Sequence, residues 1–150
     1  MNTLIRFLVL TNNIKQKLIC DLTEKFYSAG KKVVILVKDS KEGDELDRLL
    51  WIWKQSSFIP HLYTGLLSYK LPEPVVVTSQ IEDNPGFEIL LLAHPISLDN
   101  IIKFKQVIDF AEKYDSTLLN LSRDRFKLYR DNNLKVETWQ PGDFLIADLE

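Results

Sequence analysis

The chain opens on a nearly unbroken apolar run, Leu4-Ile5-Arg6-Phe7-Leu8-Val9-Leu10, the pattern of a strand buried on both faces. Leu18, Leu22, Phe26 and Ala29 then fall at helical spacing. Asn12 or Asn13 is placed to cap that helix, and Gly30 stands where a left-handed C-terminal residue belongs. Val33-Val34-Ile35-Leu36-Val37 is a second continuous apolar run. A strand, helix and strand this closely spaced imply parallel pairing through a crossover. A second helix is expected from about Glu42 to Trp53, followed by a loop rich in aromatic residues and proline. Val75-Val76-Val77-Thr78 and Phe87 to Leu92 read as further strands, with Asn84-Pro85-Gly86 turning the chain before the second. A third helix is expected from near Asp99, with Ile101, Phe104, Ile108 and Ala111 on one stripe. A fourth spans Ser116 to Arg130, and Leu134 to Trp139 alternates as an edge strand does. Helices and strands that alternate in this way predict an α/β fold. The expectation is one three-layer domain over residues 1–150, a mainly parallel twisted sheet with helices on both faces. Residues 140–150 are expected to form a loosely held tail.

Composition narrows the picture by exclusion. The chain has 150 residues, 45% hydrophobic and 27% charged, with five glycines and six prolines, which is a globular rather than a disordered profile. Nineteen Lys and Arg against twenty-one Asp and Glu leave a net charge of −2, a poor basis for holding nucleic acid by bulk charge. The single cysteine, Cys20, excludes an internal disulfide, and two histidines make a histidine-rich metal site improbable on composition. No apolar run approaches the roughly 18 residues of a membrane span. The first run carries Arg6 and lacks a basic leader and a cleavage site, so a soluble cytoplasmic protein is expected.

The chemistry usual in this fold class is missing. The first strand-to-helix turn is Thr11-Asn12-Asn13, without a glycine to bring backbone amides against a phosphate. No G-x-G-x-x-G, P-loop, nucleophile elbow or H-E-x-x-H occurs. His61 and His94 each adjoin a proline and read as structural residues, and Cys20 reads as a small core residue. The sheet is therefore expected to be Rossmann-like without a phosphate-binding loop, with no catalytic residue, no metal and no cofactor.

Two surfaces resist explanation as core. Leu49-Leu50-Trp51-Ile52-Trp53 cannot all face one way on a helix that turns about 100° per residue. Leu46, Leu49, Leu50 and Trp53 form the inward stripe, which sends Trp51 outward beside the apolar loop Phe58-Ile59-Pro60. Periodicity alone leaves two readings open: a protein-binding patch, or rings folded inward after an early helix end. On the fourth helix Leu118, Leu121, Leu128 and Tyr129 are expected to face the core. Arg123, Lys127 and Arg130 follow i, i+4, i+7 spacing on another face, bordered by Leu119 and Phe126. Such a cationic row edged by apolar groups suits an acidic peptide carrying an apolar residue or a terminal carboxylate, though a plain solvated face would have the same spacing.

These stretches resemble a known family, the chi subunits of bacterial DNA polymerase III, which are small accessory proteins of the clamp-loader assembly. The similar segments are Gly30-Lys31-Lys32-Val33, Leu46-Asp47 through Leu50-Trp51, and Ser57-Phe58-Ile59-Pro60-His61. Asp109-Phe110, Asp115-Ser116, the run Arg123-Asp124-Arg125-Phe126-Lys127-Leu128-Tyr129-Arg130, and Trp139 complete the series. The resemblance implies a non-catalytic adaptor, a monomer or a 1:1 heterodimer. One surface would bind the psi subunit of the clamp loader through positions matching Trp51, Phe58 and Pro60. Another would bind the acidic C-terminal tail of single-stranded-DNA-binding protein, which ends in proline and phenylalanine, through Arg123, Phe126, Lys127 and Arg130. Nucleic acid would then be met only indirectly, and no membrane is implied. Leu119 departs from the family in being apolar where a basic residue would help hold the tail, and the segment after Trp139 is longer than usual. Two other classes remain as alternatives: a small α/β nucleotide-binding or enzymatic domain, and direct single-stranded-DNA binding through Phe126 and the basic row.

Overall fold

The computed structural model describes residues 3–53 and 58–140. In chain order the elements are β1 (Leu4–Leu10), α1 (Lys15–Ser28), β2 (Val33–Leu36), α2 (Ser40–Trp51), β3 (His61–Thr64) and β4 (Val75–Thr78). They continue with β5 (Ile89–Leu92), α3 (Leu98–Ile101), β6 (Gln106–Glu112), α4 (Ser116–Asp131) and β7 (Lys135–Trp139). The strands form a single sheet in the order β3-β4-β2-β5-β6-β1-β7, and every pairing is parallel.

The apolar runs are continuous because both faces of the sheet are covered. Val33, Ile35 and Val37 point into a core shared with Ile19, Leu22 and Phe26 of α1 and Leu46 and Leu50 of α2. Val34 and Leu36 point the other way, into a second core with Ile101, Phe104 and Tyr129. Strand periodicity of two thus feeds two separate cores. Cys20 is fully buried in the first, and burial together with nearby Asp21 pushes its thiol up to about 12. Gly30 has φ +80 and Gly86 φ +104, the left-handed geometry that glycine adopts most cheaply after a helix or in a turn.

Four expectations are corrected. The third helix does not extend through Ala111. Leu98–Ile101 is a single turn, and Gln106–Glu112 is the strand β6, paired over seven residues with β1 and also with β5. Val107 faces one core while Ile108 and Phe110 face the other, so two-sided burial between two neighbours outweighs the apparent helical stripe. The aromatic loop contains an unforeseen edge strand, β3, paired only with β4 among the described residues. The α1 cap is Ile14, without a side-chain hydrogen bond, rather than Asn12 or Asn13. On α4, Leu121 and Leu128 are 49% and 47% exposed rather than buried. Residues 140–150, expected as a loose tail, lie outside the described residues apart from Gln140.

Gly43 shows how tightly α2 meets the sheet edge. A Cβ built there would contact the Tyr63 ring, lying 2.9 Å from both Cδ1 and Cζ. Alanine is ordinarily favoured over glycine in a helix by about 1 kcal/mol, but overpacking of this kind costs about 1–3 kcal/mol. Gly43→Ala is therefore expected to lower the urea midpoint. Gly43→Ala combined with Tyr63→Ala should show no such overlap, and a rise in the midpoint of the single variant would contradict close packing of Gly43 on Tyr63.

Candidate functional site

The α4 surface is built from a polar anchor outward. Asp115 caps the helix by accepting from the Leu118 amide at 3.0 Å. Its inward row is Ser122, Arg125, Phe126 and Tyr129, at i, i+3, i+4, i+7 spacing, rather than the leucines. Beneath it, on β6, lies the buried carboxylate of Asp109. Arg125 Nε donates to Asp109 Oδ2 at 2.8 Å and Nη2 to Oδ1 at 3.1 Å. The Tyr129 hydroxyl donates to Oδ2 at 2.9 Å. Burial works against the charged guanidinium, but the hydrogen bond and charge of Asp109 more than offset it and raise the Arg125 pKa. Burial and the Asp109 charge likewise push the Tyr129 phenol far up. This pairing fixes the rotation of α4 and removes Arg125 from the cations available to a ligand.

The fixed rotation places the expected basic row in solvent. Arg123, Lys127 and Arg130 are exposed and fall within about 60° of one another around the helix. Beside Arg123 is an apolar notch of about 90 Å³ lined by Phe7, Ala111, Leu119, Ser122, Arg123, Phe126 and Thr138. Phe126 is half-buried, its ring 5.6 Å from that of Phe7, and the Arg130 guanidinium lies over it, 5.8 Å from its centroid. Phe126 therefore forms part of the notch wall rather than disappearing into the core. Lys127 and Arg130 extend the positive flank beyond the notch without lining it. Phe7, Ala111 and Thr138 were not foreseen as wall residues, because they come from three different strands that only the sheet register brings together.

The second surface lies at the end of α2. Trp51 is 58% exposed, Ile52 71% and Phe58 64%, while Pro60 is half-buried. The Trp51 and Phe58 rings lie 5.4 Å apart. Behind them the His61 side chain is inaccessible. Its Nδ1 lies 2.7 Å from the Ile59 carbonyl and its Nε2 3.2 Å from the Asp47 carbonyl, so the ring straps the loop to α2. The Trp51 ring packs against it tilted by 60°, the centroids 5.0 Å apart. Of the two readings left open by periodicity, the outward one holds for Trp51. Ile52, 71% exposed, belongs to the same patch and was not singled out by the sequence. Ser57, part of the similar segment, lies outside the described residues.

A third concavity, of about 690 Å³, sits at the C-terminal ends of β1 and β6, lined by Asn13, Lys15, Glu42, Glu112 and Tyr114 among others. Within it Lys15, Glu112 and Tyr114 pair with one another. Lys15 Nζ donates to the Ala93 carbonyl at 2.8 Å and to Glu112 Oε1 at 3.2 Å, and the Tyr114 hydroxyl donates to Glu112 Oε2. Among the described residues no group of three His, Cys, Asp or Glu side chains could hold a metal ion, and no helix is long and apolar enough to cross a membrane.

Comparison with known proteins agrees with the resemblance. A family model described as "DNA polymerase III chi subunit, HolC" matches residues 2–137. The chain is 29% identical over 127 residues to the DNA polymerase III subunit chi of Escherichia coli, covering 83% of this chain and 86% of that protein. It is 27% identical over 141 residues to the Haemophilus influenzae subunit chi, covering 91% and 96% respectively. With the Pseudomonas aeruginosa subunit chi it shares 25% identity over 120 residues, 79% of this chain and 80% of that protein. The chain belongs to the DNA polymerase III chi subunit family.

Proposed function

We propose that this protein is a non-catalytic adaptor of DNA polymerase III in DNA replication. It holds the psi subunit of the clamp loader at Trp51, Phe58 and Pro60. It holds the acidic tail of single-stranded-DNA-binding protein at Arg123, Phe126, Lys127 and Arg130. The observation that carries the reading is the apolar notch walled by Phe126 and Arg123, with Lys127 and Arg130 continuing along the same flank. An acidic peptide ending in phenylalanine needs both halves of such a site. A guanidinium grips the terminal carboxylate, an apolar recess takes up part of the benzyl group, and exposed cations attract the preceding aspartates. The recess is small, so the ring is expected to be only partly buried. The apolar Leu119 favours ring burial over a further ion pair.

The test is a titration of a labelled acidic peptide ending in Pro-Phe against the protein at low salt. Binding is expected, and Arg123→Ala should weaken it about tenfold or more, equivalent to losing a charge-assisted hydrogen bond worth about 1.5–3 kcal/mol. Replacing the terminal phenylalanine of the peptide with alanine should weaken binding further. Lack of binding at low salt would overturn the reading of this flank. Binding of bare single-stranded oligonucleotide in place of the peptide would favour direct nucleic-acid contact instead.

A further inference from the structure

We infer that the protein's own segment 141–150 is an internal ligand of the Arg123–Phe126 notch and competes there with external acidic peptides. The sequence of this segment is Pro141-Gly142-Asp143-Phe144-Leu145-Ile146-Ala147-Asp148-Leu149-Glu150. It holds three carboxylates, no Lys or Arg, and four large apolar residues. That is the complement of the flank: three exposed cations, Arg123, Lys127 and Arg130, beside an apolar recess. Position supports the match. Thr138 of β7 is itself a wall of the notch, so the chain leaves the described fold at Gln140, two residues from it. Phe144 follows Trp139 by five residues, a reach of about 17 Å when extended, and a helix with its side chains is about 10 Å across. Pro141-Gly142 is a turn-forming pair at the point where the chain would have to double back. With so short a tether the local concentration of the segment is on the order of millimolar, so even weak intrinsic affinity would occupy the notch. The inference rests on the reading of this flank as a receptor for acidic, apolar peptide, and the test separates the two.

The full chain is spin-labelled at Ala147→Cys. Cys20 is fully buried and its thiol is pushed up to about 12, so labelling is expected at the introduced site alone. Amide signals of Leu119, Arg123, Phe126 and Thr138 should broaden strongly, and the charge reversals Arg123→Glu and Lys127→Glu should restore them. Broadening that is absent, or spread evenly over the surface, overturns the inference. So does broadening seen only when labelled chains act on unlabelled ones, which would mean that a second copy supplies the segment. In a second arm, Asp143→Asn, Phe144→Ser and Asp148→Asn together should tighten the external Pro-Phe peptide by roughly threefold or more, as expected when a tethered competitor is removed. Local broadening with no external peptide binding would keep this inference and sink the adaptor reading of the flank. Equal peptide binding by both proteins, without broadening, would do the reverse.

Discussion

Asp109→Ala is expected to be among the most damaging single substitutions in the protein, lowering unfolding free energy by about 3–5 kcal/mol. The carboxylate is buried and accepts from Arg125 Nε, Arg125 Nη2 and the Tyr129 hydroxyl. It also accepts from the Phe110 amide at 2.7 Å. Truncation leaves a largely buried guanidinium and a buried phenol without their acceptor, and stranded donors cost more than the bonds themselves contributed. Denaturant unfolding measures the loss, and a value under about 1 kcal/mol would mean that the network is incidental. Asp109→Leu combined with Arg125→Met should recover much of the stability, since replacing a buried ion pair with packed apolar groups is often neutral. That double variant also separates packing from function. If the network serves to orient α4, the recovered protein should still bind acidic peptide less well than the parent.

The same residues explain what the sequence reveals and what it hides. β1, β2, β4 and β5 announced themselves because strands covered on both sides need apolar side chains at nearly every position. The half-buried Arg125 in the inward row of α4 misled the periodicity. Leu118, Leu121, Leu128 and Tyr129 look like a core stripe only if Arg125 is assumed to face water, and its partner Asp109 sits on a strand that itself resembled a helix. Once Gln106–Glu112 is a strand, Asp109 and Arg125 become neighbours and the helix turns to match. The basic row survived this error because Arg123, Lys127 and Arg130 belong to neither inward stripe and stay exposed beside Phe126 once the helix turns. The notch did not, since Phe7, Ala111 and Thr138 meet Leu119 only through the β6-β1-β7 register. β3 was hidden for a different reason: each of its four residues is only partly buried, and an edge strand needs no continuous apolar run.

At the other end of the molecule, Trp51→Ala and Leu50→Ala should have opposite effects, although the two residues adjoin. Leu50 is buried in the core beneath α2, so its truncation opens a cavity and should cost about 2–5 kcal/mol of stability. Trp51 is mostly in solvent, with ring contacts to Phe58 and His61 among the described residues. Its loss should cost less than about 1 kcal/mol of stability. Against the proposed psi partner the ranking inverts. An exposed tryptophan held in place by a second aromatic ring, with Ile52 and Phe58 around it, has the character of an interface anchor, and truncating an anchor removes about 2 kcal/mol or more of binding energy. Trp51→Ala should therefore weaken psi binding roughly thirtyfold or more by calorimetry, with its melting temperature nearly unchanged. A variant that melts early would return Trp51 to the core, and one that binds psi undiminished would move the partner surface elsewhere. The His61 strap makes the first outcome informative as well. Because its ring holds the loop through Ile59 and Asp47 without using the Trp51 indole as a hydrogen-bond partner, the patch should keep its shape when the indole is removed, and the binding loss can be assigned to the missing side chain.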